Sequence, residues 1–211
     1  VVTADHGEEL LDHGQVGHAS TTYDSTLFEE LIRIPMIVVV PGWRAGAGAV
    51  IAAPVQLHDL MPTLLELAGV PRGDSAPEAI SLVPLVERGE GGRRTIFASG
   101  APCGYNCDEE RWDDRIHVAS DLRWKLLRFA PASGPTREVL FVLSEDPSER
   151  RPLAADRPEA RELRDALDAA LGQSRELRAR IGEPLRFAAP TPKPAADVRL
   201  SPGGPPNPNP N

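Results

Sequence analysis

Two kinds of apolar run alternate through the first third of this 211-residue chain. Val1-Val2-Thr3 is a short β-branched run that stops at Asp5-His6-Gly7, and Ile34–Val40 is a continuous apolar run cut off by Pro41-Gly42. Continuous rather than alternating apolarity predicts strands covered on both faces, the habit of a parallel sheet. Between them, Asp24–Ile32 predicts a short helix carrying Leu27 and Leu31. From Gln56 to Ala68 the positions Leu57, Leu60, Met61, Leu64, Leu65 and Ala68 follow helical spacing; Pro62 is tolerated near the start and Gly69 serves as the stop. Strand, helix, strand, helix predicts an α/β layer architecture.

After residue 72 the pattern changes. Arg115–Ser120 and Leu122–Phe129 are β-leaning runs around Asp121, Glu138–Leu143 is a third, and Glu145-Asp146-Pro147 is a turn. Pro158 to Ile181 predicts a charged amphipathic helix with Leu163, Leu167, Leu171, Leu177 and Ile181 near one stripe. Hairpin-like strands with a terminal helix predict a small antiparallel subdomain over 73–182. Residues 183–211 contain nine of the 22 prolines and end in Gly-Gly-Pro-Pro-Asn-Pro-Asn-Pro-Asn. Few amide donors and few apolar anchors predict a disordered, Pro-rich tail there.

Composition narrows the function classes. The formal net charge of −8 argues against a nucleic-acid binder, which needs a basic face. No run reaches the ~20 apolar residues of a membrane helix. The acids are uneven: residues 1–72 hold nine against three Arg, a net of −6. Three of the five histidines, His6, His13 and His18, fall in the same Gly-punctuated, acidic stretch as Asp5. Ligands of open α/β sheets bind beyond the carboxyl ends of strands, which is where Asp5 and His6 are expected. Carboxylate beside imidazole suits a divalent metal, since one offers hard oxygen and the other a borderline nitrogen. His13 reads as a loop hydrogen-bonder, and Asp59, beside His58, as a helix-start residue.

The longer strings carry more. Val1-Val2-Thr3-Ala4-Asp5-His6-Gly7-Glu8-Glu9-Leu10-Leu11-Asp12-His13-Gly14, then Gly17-His18, Thr26-Leu27-Phe28-Glu29-Glu30 and Arg33-Ile34-Pro35-Met36-Ile37-Val38 together resemble the sulfatase family. More broadly they resemble the alkaline-phosphatase-like metallohydrolases. The resemblance continues in Gln56–Gly69 and loosens over Leu122–Leu127 and Leu140–Glu149. It implies a mostly parallel sheet flanked by helices, of which residues 1–72 are the C-terminal part. It also implies that Asp5 and His6 are metal ligands. The usual partner of that Asp is Asn in calcium-dependent members, so the resemblance implies Ca²⁺ while His6 opens the choice to Mn²⁺ or Zn²⁺. His18 stands where many members have Lys, and is implied to contact ester oxygens and the leaving group as a catalytic donor. Glu29, Glu30 and Arg33 read as structural or packing residues.

The nucleophile motif of sulfatases, Cys- or Ser-x-Pro-x-Arg, does not occur in this sequence. The chain is therefore expected to be the C-terminal part of a metal-dependent sulfatase, inactive by itself, whose ligand is a sulfate- or phosphate-ester small molecule or glycan. The alternatives are a phosphonate or phosphate ester hydrolase or phosphoethanolamine-type transferase of the same superfamily, and a non-catalytic sulfatase-like binding module. Cys103 and Cys107 have the spacing of a small disulfide loop or of two free thiols, and lack the second ligand pair of a zinc knuckle. Family habit favours a periplasmic or extracellular compartment.

Overall fold

A computed structural model describes residues 1–18, 26–42, 48–72, 78–93, 95–102, 109–111 and 113–181. The Pro-rich tail, the start of the Asp24–Ile32 run and Cys103 and Cys107 lie outside the described residues. The chain divides into two units, Val1–Gln173 and Ser174–Asn211. Of the second, only the last turns of a helix, residues 174–181, are described.

In chain order the elements are β1 (Val2–Thr3), β2 (Glu9–Leu10), β3 (Val16–Gly17), α1 (Glu29–Ile32), β4 (Met36–Ile37), a 3-10 turn at Leu57–Asp59, α2 (Leu60–Leu67), α3 (Val83–Arg88), β5 (Ile96–Gly100), a second 3-10 turn at Glu109–Arg111, β6 (Arg115–Ser120), β7 (Trp124–Ala130), β8 (Arg137–Val142), β9 (Leu153–Ala154) and α4 (Pro158–Ile181). Strands β5 to β9 form one antiparallel sheet in sequence order. Its strands carry β-branched and aromatic residues, and short turns join β6 to β7 and β7 to β8. Asp121 makes the first of these by accepting from the Arg123 and Trp124 amides at 2.9 and 2.6 Å.

Each face of this sheet has its own core. Ala119, Leu126 and Leu140 pack against Ala160, Leu163 and Leu167 of α4. On the other face Ile116, Val118, Leu127 and Phe141 pack with Leu27, Phe28 and Ile32 in and around α1. An ion network edges the α4 face: Arg128 pairs with Glu138 at 2.7 Å and Arg164 reaches the same carboxylate at 2.7 Å. The opposite face carries Lys125, wholly buried, with its Nζ 2.8 Å from Glu149 Oε1 and 3.2 Å from Glu29 Oε1. Burial pushes the Glu149 carboxyl up, and the Lys125 ammonium pulls against that.

Helix α2 is set by its first turn. Asp59, fully buried, accepts from the Gln56 amide at 3.0 Å, from the Ile80 amide at 2.9 Å and from Arg93 Nε at 2.9 Å. Its helix-start role is the one the sequence predicts. Thr63 donates to the Asp59 carbonyl at 2.6 Å and accepts from the Leu82 amide at 2.9 Å, which ties α2 to α3. The helix stops at Gly69, whose φ of 66° suits a residue without Cβ.

The mostly parallel sheet expected from Val1–Thr3 and Ile34–Val40 is not what these runs form. They pair with each other, antiparallel, in the register Val2↔Ile37 and Thr3↔Met36, and every strand pairing among the described residues is antiparallel. Apolar continuity reports burial, not strand direction, and here Val2, Ile37 and Val39 are themselves exposed. The described residues instead form helices laid on an antiparallel sheet, an α+β arrangement.

Two outcomes follow from these charges. Lys125→Met strands the buried Glu149 carboxylate and should cost about 3–5 kcal/mol in urea denaturation, with most of that loss recovered by adding Glu149→Gln. Asp59 is pushed up by burial, but its hydrogen bonds from Arg93, Ile80 and Gln56 outweigh this and hold it below the ordinary 3.8. The unfolded chain therefore takes up that proton first, so the stabilisation is complete above pH ~4 and is lost as pH falls through the depressed value. Asp59→Asn should lower neutral-pH stability and flatten the acid limb of a pH-dependent melting series.

Candidate active site

Strand β1 ends at Thr3, and the chain then turns through Asp5-His6-Gly7 into the β2–β3 hairpin. This turn is laid on α1 by its backbone: the Gly7 amide donates to the Leu31 carbonyl at 2.8 Å and the Glu8 amide to the Glu30 carbonyl at 3.1 Å. Gly7 is required by that approach, because a Cβ there would land on the Glu30 carbonyl oxygen. The hairpin then doubles back. Glu9 faces Gly17 and Leu10 faces Val16, so one step further along the same register Glu8 faces His18.

Asp5, His6 and His18 line one cleft of about 740 Å³. Asp5 Oδ2 lies 3.6 Å from His6 Nε2, and the His6 and His18 rings are 4.1 Å apart at a tilt of 35°. His6 Nδ1 is 2.7 Å from the Gly7 carbonyl oxygen, an acceptor only, so Nδ1 donates and Nε2 is free for a ligand. His18 Nδ1 is 2.9 Å from Glu8 Oε2, which likewise leaves Nε2 free. The Asp5 carboxyl is held below the ordinary 3.8 by hydrogen bonds from its own and the His6 backbone amides and by the neighbouring imidazole. Its side chain is 85% exposed, so its oxygens keep their capacity to accept. Hard oxygen and borderline nitrogen side by side fit a divalent ion.

The structure brings together the three residues the sequence singles out, and adds two. Glu8 was not among the expected site residues; its signal is the Gly-punctuated turn between two short extended runs, which makes a hairpin and places position 8 across from 18. Arg33, expected to pack on the helix, is instead exposed and lines the cleft, the one Arg to do so among the described residues. Leu27, Ile34, Met36 and Phe97 supply much of the remaining lining. His13 stays outside the site. Its ring stacks on Phe28 at 3.8 Å, with Nε2 2.9 Å from the Ser148 carbonyl and Nδ1 3.1 Å from Glu30.

Because the turn depends on Gly7, Gly7→Ala should lift the 5–8 segment from α1 and destabilise the fold by ~1–3 kcal/mol. Hydrogen exchange should show faster exchange at the amides of residues 7 and 8 while the β6 and β7 amides stay protected.

Residues 20–177 match the family described as N-sulphoglucosamine sulphohydrolase, C-terminal. Among curated relatives, arylsulfatase K of Danio rerio is 30% identical over 74% of this chain and 28% of its own length. Steryl-sulfatase of Mus musculus is 31% identical over 85% of this chain and 32% of its own. The chain thus spans less than a third of the length of either. A solved structure described as bound to its substrate D-glucosamine-2-N,6-O-disulfate superposes with a TM-score of 0.55 and 20% identity, covering 84% of this chain and 34% of that one. At that identity the likeness concerns the fold alone. With the sequence motifs around Asp5 and His18 and a family match over three-quarters of its length, the chain belongs to the sulfatase family and corresponds to its C-terminal part.

Proposed function

We propose that this chain contributes the metal-ligand turn and a substrate-contacting histidine to a hydrolase of sulfuric esters. The observation that carries this reading is the convergence of Asp5, His6 and His18 on one cleft from two chain segments, the 5–7 turn and the residue that follows β3. Asp5 and His6 are the residues that would hold the divalent ion, through a carboxylate oxygen and Nε2. When bound, such an ion screens the anionic ester and lowers the pKa of an attacking oxygen. Calcium is the family's habit; the imidazole of His6 favours Mn²⁺ or Zn²⁺.

His18 contributes separately. Glu8 Oε2 accepts a hydrogen bond from His18 Nδ1–H, so Nε2 is the nitrogen left for the ester. A protonated ring donates from Nε2 to a sulfate oxygen or to the departing alkoxide; a neutral ring accepts. Arg33 adds a fixed positive charge to the cleft wall, suited to an anionic substrate. The lining is otherwise largely apolar, so it would accommodate the alcohol portion by contact. In this reading residues 1–72 complete a catalytic domain whose sheet is mostly parallel, and residues 73–182 form the smaller subdomain behind it. The substrate is a sulfate-ester small molecule or glycan. The structural relative's sulfated glucosamine supports this. A phosphate or phosphonate ester is the second reading, favoured by imidazole where calcium-dependent members have an amide.

In the enzyme that carries this chain together with its nucleophile, Asp5→Ala should lower kcat/KM for sulfate esters by about 10³-fold, several kcal/mol of lost transition-state stabilisation, with the melting temperature unchanged. Wild-type turnover by that variant would remove Asp5 from the site. Hydrolysis of phosphate or phosphonate monoesters at a rate above that of sulfate esters would select the second reading.

A further inference from the structure

We propose that His6, Glu8 and His18 form a site for a borderline transition-metal ion of the Zn²⁺ class, assembled by this chain alone. Each offers one donor atom, and the three donor atoms lie within 4.8 Å of one another. Asp5, although adjacent in sequence, is not one of the three. The site shares His6 and His18 with the proposed ester site and competes with the Asp5–His6 ion for the one free nitrogen, Nε2, of His6; its formation does not depend on ester hydrolysis.

The arrangement has three properties of a metal site. The first is its donor set. Two imidazole nitrogens and one carboxylate oxygen suit Zn²⁺, Co²⁺ or Ni²⁺, whereas Ca²⁺ and Mg²⁺ take oxygen shells. The second is the outer hydrogen bonding of the rings. His6 donates from Nδ1 to the Gly7 carbonyl at 2.7 Å, which fixes the tautomer with the Nε2 lone pair free. This is the partner a metal-bound imidazole ordinarily has. On the other side, His18 Nδ1 and Glu8 Oε2 lie 2.9 Å apart, so carboxylate and imidazole already stand next to each other with the His18 Nε2 nitrogen left free.

The third property is the backbone beneath the side chains. His6 and Glu8 flank Gly7, whose amide, like that of Glu8, is bonded to a carbonyl of α1. His18 is delivered by the cross-strand register of β2 and β3. Two ligands therefore come from a fixed turn and the third from the strand opposite. The side chains are about 40% exposed, at 41%, 44% and 39%, so an ion reaches them from solvent without unfolding. Three protein ligands would leave a four-coordinate ion one position for water or another donor, and two of them, His6 and His18, line the cleft. An ion held there withdraws His18 from any ester.

The test is calorimetric titration of the full chain with ZnCl₂ and, separately, CaCl₂, alongside imidazole ¹H–¹⁵N spectra. One Zn²⁺ per chain is expected, with the His6 and His18 ring nitrogens shifting together and those of His13, His58 and His117 unmoved. His18→Ala and Glu8→Gln should each weaken Zn²⁺ binding about tenfold or more, and Asp5→Asn should leave it within about twofold. Both altered side chains are half-exposed, and far-UV circular dichroism confirms that the variants are folded. Zn²⁺ affinity unchanged in His18→Ala overturns the proposal, and so does binding that survives every substitution. Loss in Asp5→Asn without loss in His18→Ala places it on the Asp5–His6 pair, overturning this site while sparing the proposed function. Loss of ester hydrolysis in Asp5→Ala with Zn²⁺ binding intact sustains both.

Discussion

A single buried ammonium organises the half of the molecule that carries chemistry. Lys125 sits on the inner face of β7 with no solvent contact, and an uncompensated charge there would be prohibitive. Two carboxylates from far apart in the chain answer it: Glu149 from the turn beyond β8, and Glu29 from the start of α1. Glu149 then uses its second oxygen to accept the Glu29 amide at 2.6 Å. Helix α1 has four residues, far too few to hold itself together, so this anchorage and the packing of Leu27, Phe28 and Ile32 define it. Its carbonyls in turn hold the amides of Gly7 and Glu8. The position of the 5–8 turn near the start of the chain is thus referred to a lysine in its second half.

A second fastening reaches the same turn by another route. Arg150 donates to the Asp12 carbonyl at 2.9 Å, and His13 bridges Glu30 and the Ser148 carbonyl. The hairpin is therefore held at its base by α1 and at its tip by the 146–150 turn. Glu9 contributes from within, buried and bonded to the Thr26 hydroxyl. The result is a set of exposed polar side chains on a constrained backbone, the combination that lets a site be both accessible and pre-organised.

What the sequence disclosed depended on how local each determinant was. Strand β6 and helix α4 coincide with their predicted bounds, Arg115–Ser120 and Pro158–Ile181, because their periodicity is carried within the element. Strand β5 escaped notice: Ile96–Gly100 is short, contains Ser99 and Gly100, and exists as a strand through its pairing with β6. The direction of β1 and β4 was illegible for a related reason, since an apolar run does not name its partner. Glu8 and Arg33 belong to the same class. Their relation to the site arises from a register and from a helix end, neither of which residue type reveals. Motif resemblance filled part of that gap at Asp5, His6 and His18, where the family's pattern supplies long-range information that composition lacks.

The pairing of Asp with His occurs twice here with opposite fates, and the contrast explains what makes a site. Asp59 beside His58 is buried, and its two oxygens receive the amides of Gln56 and Ile80 and two nitrogens of Arg93. Every lone pair directed at a neighbour is taken, so the carboxylate can only hold the fold. Asp5 beside His6 accepts only from backbone amides, its own and that of His6 at 3.0 Å, and its side chain is 85% exposed. The local dipeptides differ only in order, yet one is structural and the other is left with unspent acceptor capacity at the mouth of a cleft. What separates the two pairs is which polar groups the fold declines to satisfy. At the Asp5–His18 cluster that means a free imidazole nitrogen on each histidine and a carboxylate at either end.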